Sequence, residues 1–211
     1  MAVAHMNKLR VNPTRRIQAM LGIVIIMAFA PFARPDEAQG KAAMVKAAFI
    51  LNFVKLTAWP DKAFADSASP LVVVIVGGDV TDTSIDDVVN GLRIHEREIS
   101  LRRLLPPPRE RYRDADDYKQ AWNIAIDTLR KSHIVIFSAD ACSQTDVAIA
   151  RMNSRATLTI GDGPDFPKTD TMIALVEEDG RIVFYANSKS IQRSDLTLSS
   201  RLLRLARTVK H

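Results

Sequence analysis

Hydrophobic residues along this chain change period several times, and each change marks an element. From Lys41 to Trp59 the sequence KAAMVKAAFILNFVKLTAW places Val45, Phe49, Asn52, Phe53 and Leu56 at three- and four-residue steps, with Lys41, Lys46 and Lys55 able to reach solvent. This spacing predicts a long helix ended by Pro60. The helix is rich in hydrophobic residues nearly all round, so it needs a sheet, a membrane or another protein to cover it. Leu71–Val76 is a continuous apolar run that reads as a fully buried strand, and it leads into Gly77, Gly78 and Asp79. A short helix is expected at Thr83–Asn90, capped by Asp82 or Ser84 and stopped by Gly91. Strand, glycine turn and helix in that order open a βαβ unit with parallel pairing.

Glu98–Leu105 alternates and predicts a second strand, which Pro106, Pro107 and Pro108 end. A charged surface stretch from Arg109 then leads to a helix over Tyr118–Leu129. A buried strand at His133–Phe137, a short helix at Asp146–Met152 and a strand at Ala156–Ile160 continue the alternation. Met172–Glu177 and Arg181–Ala186 flank Asp179 and Gly180, a hairpin signal. Ser199–Val209 reads as a closing helix, with Leu202, Leu203, Leu205 and Ala206 on one side and Arg201, Arg204 and Arg207 on the other. The expected fold is one α/β domain: a mostly parallel or mixed sheet covered by helices on both faces, with a C-terminal β-hairpin and helix.

The region before the first helix has a different chemistry. Lys8, Arg10, Arg15 and Arg16 precede an uncharged apolar run from Ala19 to Ala30, followed by small residues at Ala28, Ala30, Ala33 and Ala38. That is the order of an export signal, and the run is shorter than the roughly 20 residues that span a bilayer. Residues 1–38 are therefore expected to be signal peptide and leader, residues 39–211 the domain, and the periplasm its location. This division changes the charge. The whole chain has 29 basic and 24 acidic residues, of which the leader holds five and two, leaving 24 and 22. Most of the basicity thus belongs to export, and nucleic acid is not an expected partner. Cys142 is the single cysteine, so no internal disulfide can form, and its place after a strand predicts burial.

Candidate chemistry is sparse. His95, His133, Cys142 and His211 have no metal-ligand spacing, and His133 opens an apolar strand where a core or edge role is expected. Gly77–Gly78–Asp79 sits where α/β folds bind phosphate, but it lacks the third glycine and presents a carboxylate. Asp162, Asp165 and Asp170 supply oxygen ligands without a calcium-loop spacing. Ser138 and Ser143 have no glycine elbow and no assigned base. No catalytic, metal or cofactor residue is assigned, and no enzyme is expected.

Three stretches resemble the YfiR-like family of small periplasmic regulators, over most of residues 42–209. The first is KAAFILNFVKLTAWP, with Phe49, Asn52, Phe53, Lys55, Trp59 and Pro60. The second is the pair of strands around HIVIFSA and ATLTIGDGPDF, ending at Phe166. The third places Gly180, Ile182, Phe184 and Asn187 before LTLSSRLLRLARTV, with Ser199, Ser200, Leu202, Leu203, Leu205 and Ala206. The resemblance implies a repressor that binds the periplasmic region of an inner-membrane diguanylate cyclase, lowering cyclic-di-GMP signalling and biofilm formation until an envelope signal or an outer-membrane lipoprotein releases it. The paired cysteines that the resemblance leads one to expect are absent here.

From the residues themselves, two strongly apolar helices at the ends of the domain exceed what a small sheet requires. A homodimer seam or a docking surface would use the surplus, with Arg201, Leu202 and Leu205 as the expected contact residues. A periplasmic small-ligand-binding module of an envelope sensing or transport system is the competing reading, and a deep pocket with convergent polar groups would distinguish it.

Overall fold

The structure, a computed structural model, describes residues 35–78, 85, 86, 89 and 91–208. Residues 1–34 of the leader expected at 1–38 lie outside them, as does most of the helix expected at 83–90, of which residues 85, 86 and 89 are helical. The chain divides into two units, of which Gln39–His211 forms the α/β domain.

Helix α1 spans Pro35–Lys55, and its buried residues are Ala47, Ile50, Phe53 and Val54. The expected stripe is thus rotated: Val45 is 45% exposed, and Asn52 is exposed too. The helix also stops earlier than expected. Thr57–Ala58 form a short strand, β1, leaving Trp59 and Pro60 in the connection after it.

Strand β2 spans Leu71–Val76. After it come β3 (Arg93–Ile94), β4 (Arg97–Leu104), helix α2 (Ala115–Arg130) and β5 (Ile134–Phe137). Helix α3 (Thr145–Met152), β6 (Leu158–Asp162) and the hairpin β7 (Ile173–Glu178) and β8 (Arg181–Ala186) come next. The chain continues through α4 (Ser188–Gln192), β9 (Thr197–Leu198), α5 (Ser200–Leu205) and β10 (Arg207–Thr208). The closing helix is therefore shorter than the expected 199–209, because residues 207 and 208 pair as a strand with β8.

Local chemistry accounts for these boundaries. The Asp114 carboxylate caps α2 by accepting from the Asp116 amide at 2.6 Å, with Asp116 and Asp117 in the first turn and Arg130 in the last, each favourable to the helix dipole. Asn153 ends α3 in the left-handed conformation, φ +46°. Asp179 and Gly180 have φ of +50° and +70°, as the two central residues of a type I′ hairpin require.

The main sheet has the order β10-β8-β7-β6-β5-β2-β4-β3. The five strands β4, β2, β5, β6 and β7 are parallel; β8 and β3 run antiparallel to their inner neighbours. The direction of progression reverses between β2 and β5, as in other doubly wound sheets. A separate two-stranded pair joins β1 to β9, with Thr57 opposite Leu198.

Alternation along the strands divides the core in two. Leu71, Val73, Ile75, Ile134, Ile136, Leu158 and Ile160 pack with α1 and the C-terminal segment. Val74, Val76, Val135 and Phe137 pack with Trp122, Ala125, Ile126 and Leu129 of α2 and with Ala148 and Met152 of α3. The central strands β2 and β5 are thus covered on both faces, which is why they read as unbroken apolar runs. Burial of one large side chain such as Phe53 contributes about 1.5–3 kcal/mol.

Candidate functional site

The two ends of the domain meet. Phe49 and Phe53 of α1 enclose Phe184 of β8, with ring centroids 5.8 and 4.9 Å away and 6.0 Å between the α1 pair. Below them the Ser199 amide donates to the Leu56 carbonyl at 2.8 Å, next to the β1–β9 pair. The Ser199 hydroxyl caps α5 by accepting from the Arg201 amide at 3.2 Å. Asn187 caps α4 by accepting from the Ser190 amide at 3.1 Å, and its own side-chain amide donates to the Thr169 carbonyl at 3.4 Å. Trp59 donates its indole N–H to the His133 carbonyl at 3.2 Å. These sequence-selected residues therefore hold the fold together. Asn52 and Ser200 are the exceptions: Asn52 is exposed and Ser200 lies on the outer part of α5.

On α5 the expected contact residues separate. Leu202 is buried in the core at 2% exposure and has no surface to offer a partner. Leu205 is 71% exposed and Leu203 39%, flanked by exposed Arg201 and Arg204. Met44 and Val45 on α1 are also exposed, so both elements of the junction present apolar side chains outward.

The acidic turn is not assembled as a cation site. Asp162 is paired with Lys46 at 2.8 Å, Asp165 with Lys168 at 3.0 Å and Asp170 with Arg193 at 3.2 Å. Among the described residues no group of His, Cys, Asp and Glu could hold a metal ion.

At the reversal point between β2 and β5, where doubly wound sheets bind ligands, the described residues of the two connections hydrogen-bond to each other. Asp140 accepts from the Gly78 amide at 3.0 Å and from the Ser138 hydroxyl, and the Ser138 amide donates to the Val76 carbonyl at 2.9 Å. Gly77 has φ +114°, and a Cβ there would collide with Ser138 and Asp140. The Ser138 hydrogen bond comes first in holding the Asp140 carboxyl below its usual range, with the Gly78 amide assisting. A fixed carboxylate here repels an anionic ligand. A small gap under α1, lined by residues such as Leu51, Val73, Ile85 and Ile136, is lined by apolar side chains and holds no polar group to orient a ligand.

Cys142 is half-buried rather than buried, because it lies on a 3-10 turn, Ala139–Gln144, ahead of α3. Burial, and then the carboxylates of Asp165 and Asp146, push its thiol pKa up, so it is a weak nucleophile.

At the opposite end of the sheet lies a cluster that sequence reasoning missed. His133 is 8% exposed, stacked on Phe64 with centroids 4.4 Å apart, and the Arg97 guanidinium sits 3.7 Å from the Phe64 ring centroid. The sequence signal was a histidine beside a buried strand, but its partners lie about 35 to 75 residues away, and no local pattern points to them.

No curated protein matches the chain. The YfiR/HmsC-like family, DUF4154, matches residues 43–207. The chain therefore belongs to the YfiR/HmsC-like family, a family of periplasmic regulators.

Proposed function

We propose that this family member is an exported binding protein that represses an inner-membrane diguanylate cyclase from the periplasmic side, lowering cyclic-di-GMP output and biofilm formation. The family match over residues 43–207 is the observation that carries this reading. The outer surface of α5, with Arg201, Leu203 and Leu205, is the proposed contact, extended by Met44 and Val45. Release by an outer-membrane lipoprotein and self-association through the same face belong to the same proposal.

The test is recovery of partners from detergent-solubilised membranes on the tagged chain, with identification by mass. A membrane protein with a periplasmic sensory region and a cytoplasmic cyclase domain is the expected product. A kinase or receptor instead would replace the cyclase in this reading. Leu205→Asp is expected to abolish recovery while changing stability by no more than about 0.5 kcal/mol, as for an exposed site. Leu202→Asp should unfold the domain, because it would bury a charge in the core. Equal recovery by wild type and Leu205→Asp would remove α5 from the contact.

A further inference from the structure

We infer that His133 is an acid-sensitive latch: its neutral imidazole holds the segment between α1 and β2 against the amino-terminal end of the parallel sheet, and protonation releases that segment.

The hydrogen bonds define the neutral form. The Val72 amide lies 3.0 Å from His133 Nδ1 and can only donate, so Nδ1 carries no proton. The Ala63 carbonyl lies 3.0 Å from Nε2 and can only accept, so the proton sits on Nε2. One tautomer satisfies both partners. The same segment adds the Trp59 indole, which donates to the His133 carbonyl, and the Phe64 ring stacked at 15° on the imidazole. Arg97 on the far side of Phe64 is itself tied to the Asp66 and Ser69 carbonyls at 2.8 and 2.7 Å. Residues 59–69 thus converge on one histidine and one arginine.

A second ring proton would point Nδ1–H at the Val72 N–H, setting donor against donor. The groups facing the ring supply no compensation. β2 presents that amide, the connecting segment presents the Ala63 carbonyl and the Phe64 ring, and β4 contributes the Arg97 cation. Burial is the main cause that lowers the His133 pKa; the Ala63 carbonyl opposes it and Arg97 adds to it. The released state has the ordinary value of 6.5 and the latched state a lower one. The latch therefore keeps its full strength above pH 6.5 and weakens as pH falls from 6.5 toward the latched value. One proton changes the opening equilibrium by at most about tenfold per pH unit. The released segment adjoins β1, which pairs with β9 just ahead of α5, so opening loosens the junction of the two chain ends. The latch works in the isolated chain, whatever its partner.

Hydrogen exchange in residues 57–70 of the full chain, corrected for intrinsic rates at pH 7.5, 6.5 and about 5.5, tests it. Wild type should lose protection below pH 6.5, by up to about tenfold per unit. His133→Gln offers a carbonyl to Val72 and an amide to Ala63 without titrating, so it should be protected at pH 7.5 and stay flat. His95→Gln removes the other imidazole on this side of the sheet, which lies 3.0 Å from the Thr57 carbonyl, and should keep the wild-type response. A flat wild-type profile, or the same slope in His133→Gln, overturns the inference. Should His133→Gln fail to fold, NMR titration of the wild-type imidazole decides: a value below 6.5 supports the latch and one at or above 6.5 overturns it.

Discussion

At the carboxyl ends of the parallel strands a charged group closes the sheet: the Asp140 carboxylate accepts from the Gly78 amide and the Ser138 hydroxyl. At their amino ends an uncharged group does so, as His133 accepts from Val72 and donates to Ala63. The first end is where doubly wound sheets hold ligands, and here the Asp140 carboxylate binds the Gly78 amide. The second end is ordinarily a stability surface, and here it carries an imidazole whose pKa burial lowers from its ordinary value. Both ends use their polar atoms to hold connections in place, and they respond to acid in different ranges.

Of the substitutions that compare the two ends, the most damaging lies at the carboxyl end. Gly77→Ala combines left-handed backbone strain with overpacking against Ser138, together about 4 kcal/mol, read as a fall in the urea midpoint. His133→Ala disrupts the amino end by leaving the Val72 amide and Ala63 carbonyl without partners, at about 3 kcal/mol by the same measurement. Asp140→Asn keeps the shape and weakens the charge-assisted bonds at a solvent-screened position, at about 1 kcal/mol. Acid titration then separates the two ends. The folded pKa of Asp140 is depressed, so its contribution is present above the unfolded value of 3.8 and is lost as pH falls through the folded value. The folded pKa of His133 is also depressed, but for a base, so its contribution is lost as pH falls below 6.5. Wild type should therefore lose stability over an upper range that opens at pH 6.5 with His133 and a lower one that opens at 3.8 with Asp140. His133→Gln should remove the upper range only and Asp140→Asn the lower only; a variant that erased both would show the two ends to be coupled.

Strands β2, β4, β5, β6, β7 and β8, with the Asp-Gly hairpin, were legible in the sequence because their signals are local: apolar or alternating runs bounded by turn residues, and a dipeptide suited to positive φ; the two-residue strands β1, β3, β9 and β10 carry too short a pattern to read. The β3–β4 hairpin was not legible. Its turn places His95 and Glu96 at φ +51° and +63° without any glycine, and His95 is held by the distant Thr57 carbonyl. The rotated face of α1 was hidden for a related reason, since a helix apolar nearly all round does not say which side the sheet takes. Residues singled out by family resemblance, such as Phe49, Phe53, Asn187 and Ser199, prove to be core and cap residues. A motif read from sequence therefore marked the junction of the chain ends, while the exposed surface at Leu203 and Leu205 had no signature beyond hydrophobicity at the end of the chain.

Cys142 offers the mildest perturbation and the finest probe of the carboxyl end. It sits two residues beyond Asp140, half-buried, with Asp165 and Asp146 acting on it. Those carboxylates oppose a thiolate, so modification by a disulfide reagent at about pH 7.5 should be slower than for a free thiol, and Cys142→Ser should cost less than about 1 kcal/mol. Asp165→Asn and Asp146→Asn should each speed modification severalfold without moving the urea midpoint of the amino-end variants, because the two sites share no partner. If neither substitution changes the rate, burial alone keeps the thiol protonated. The carboxyl end would then be distinguished by its packing, with Asp140 the carboxylate that shapes its chemistry.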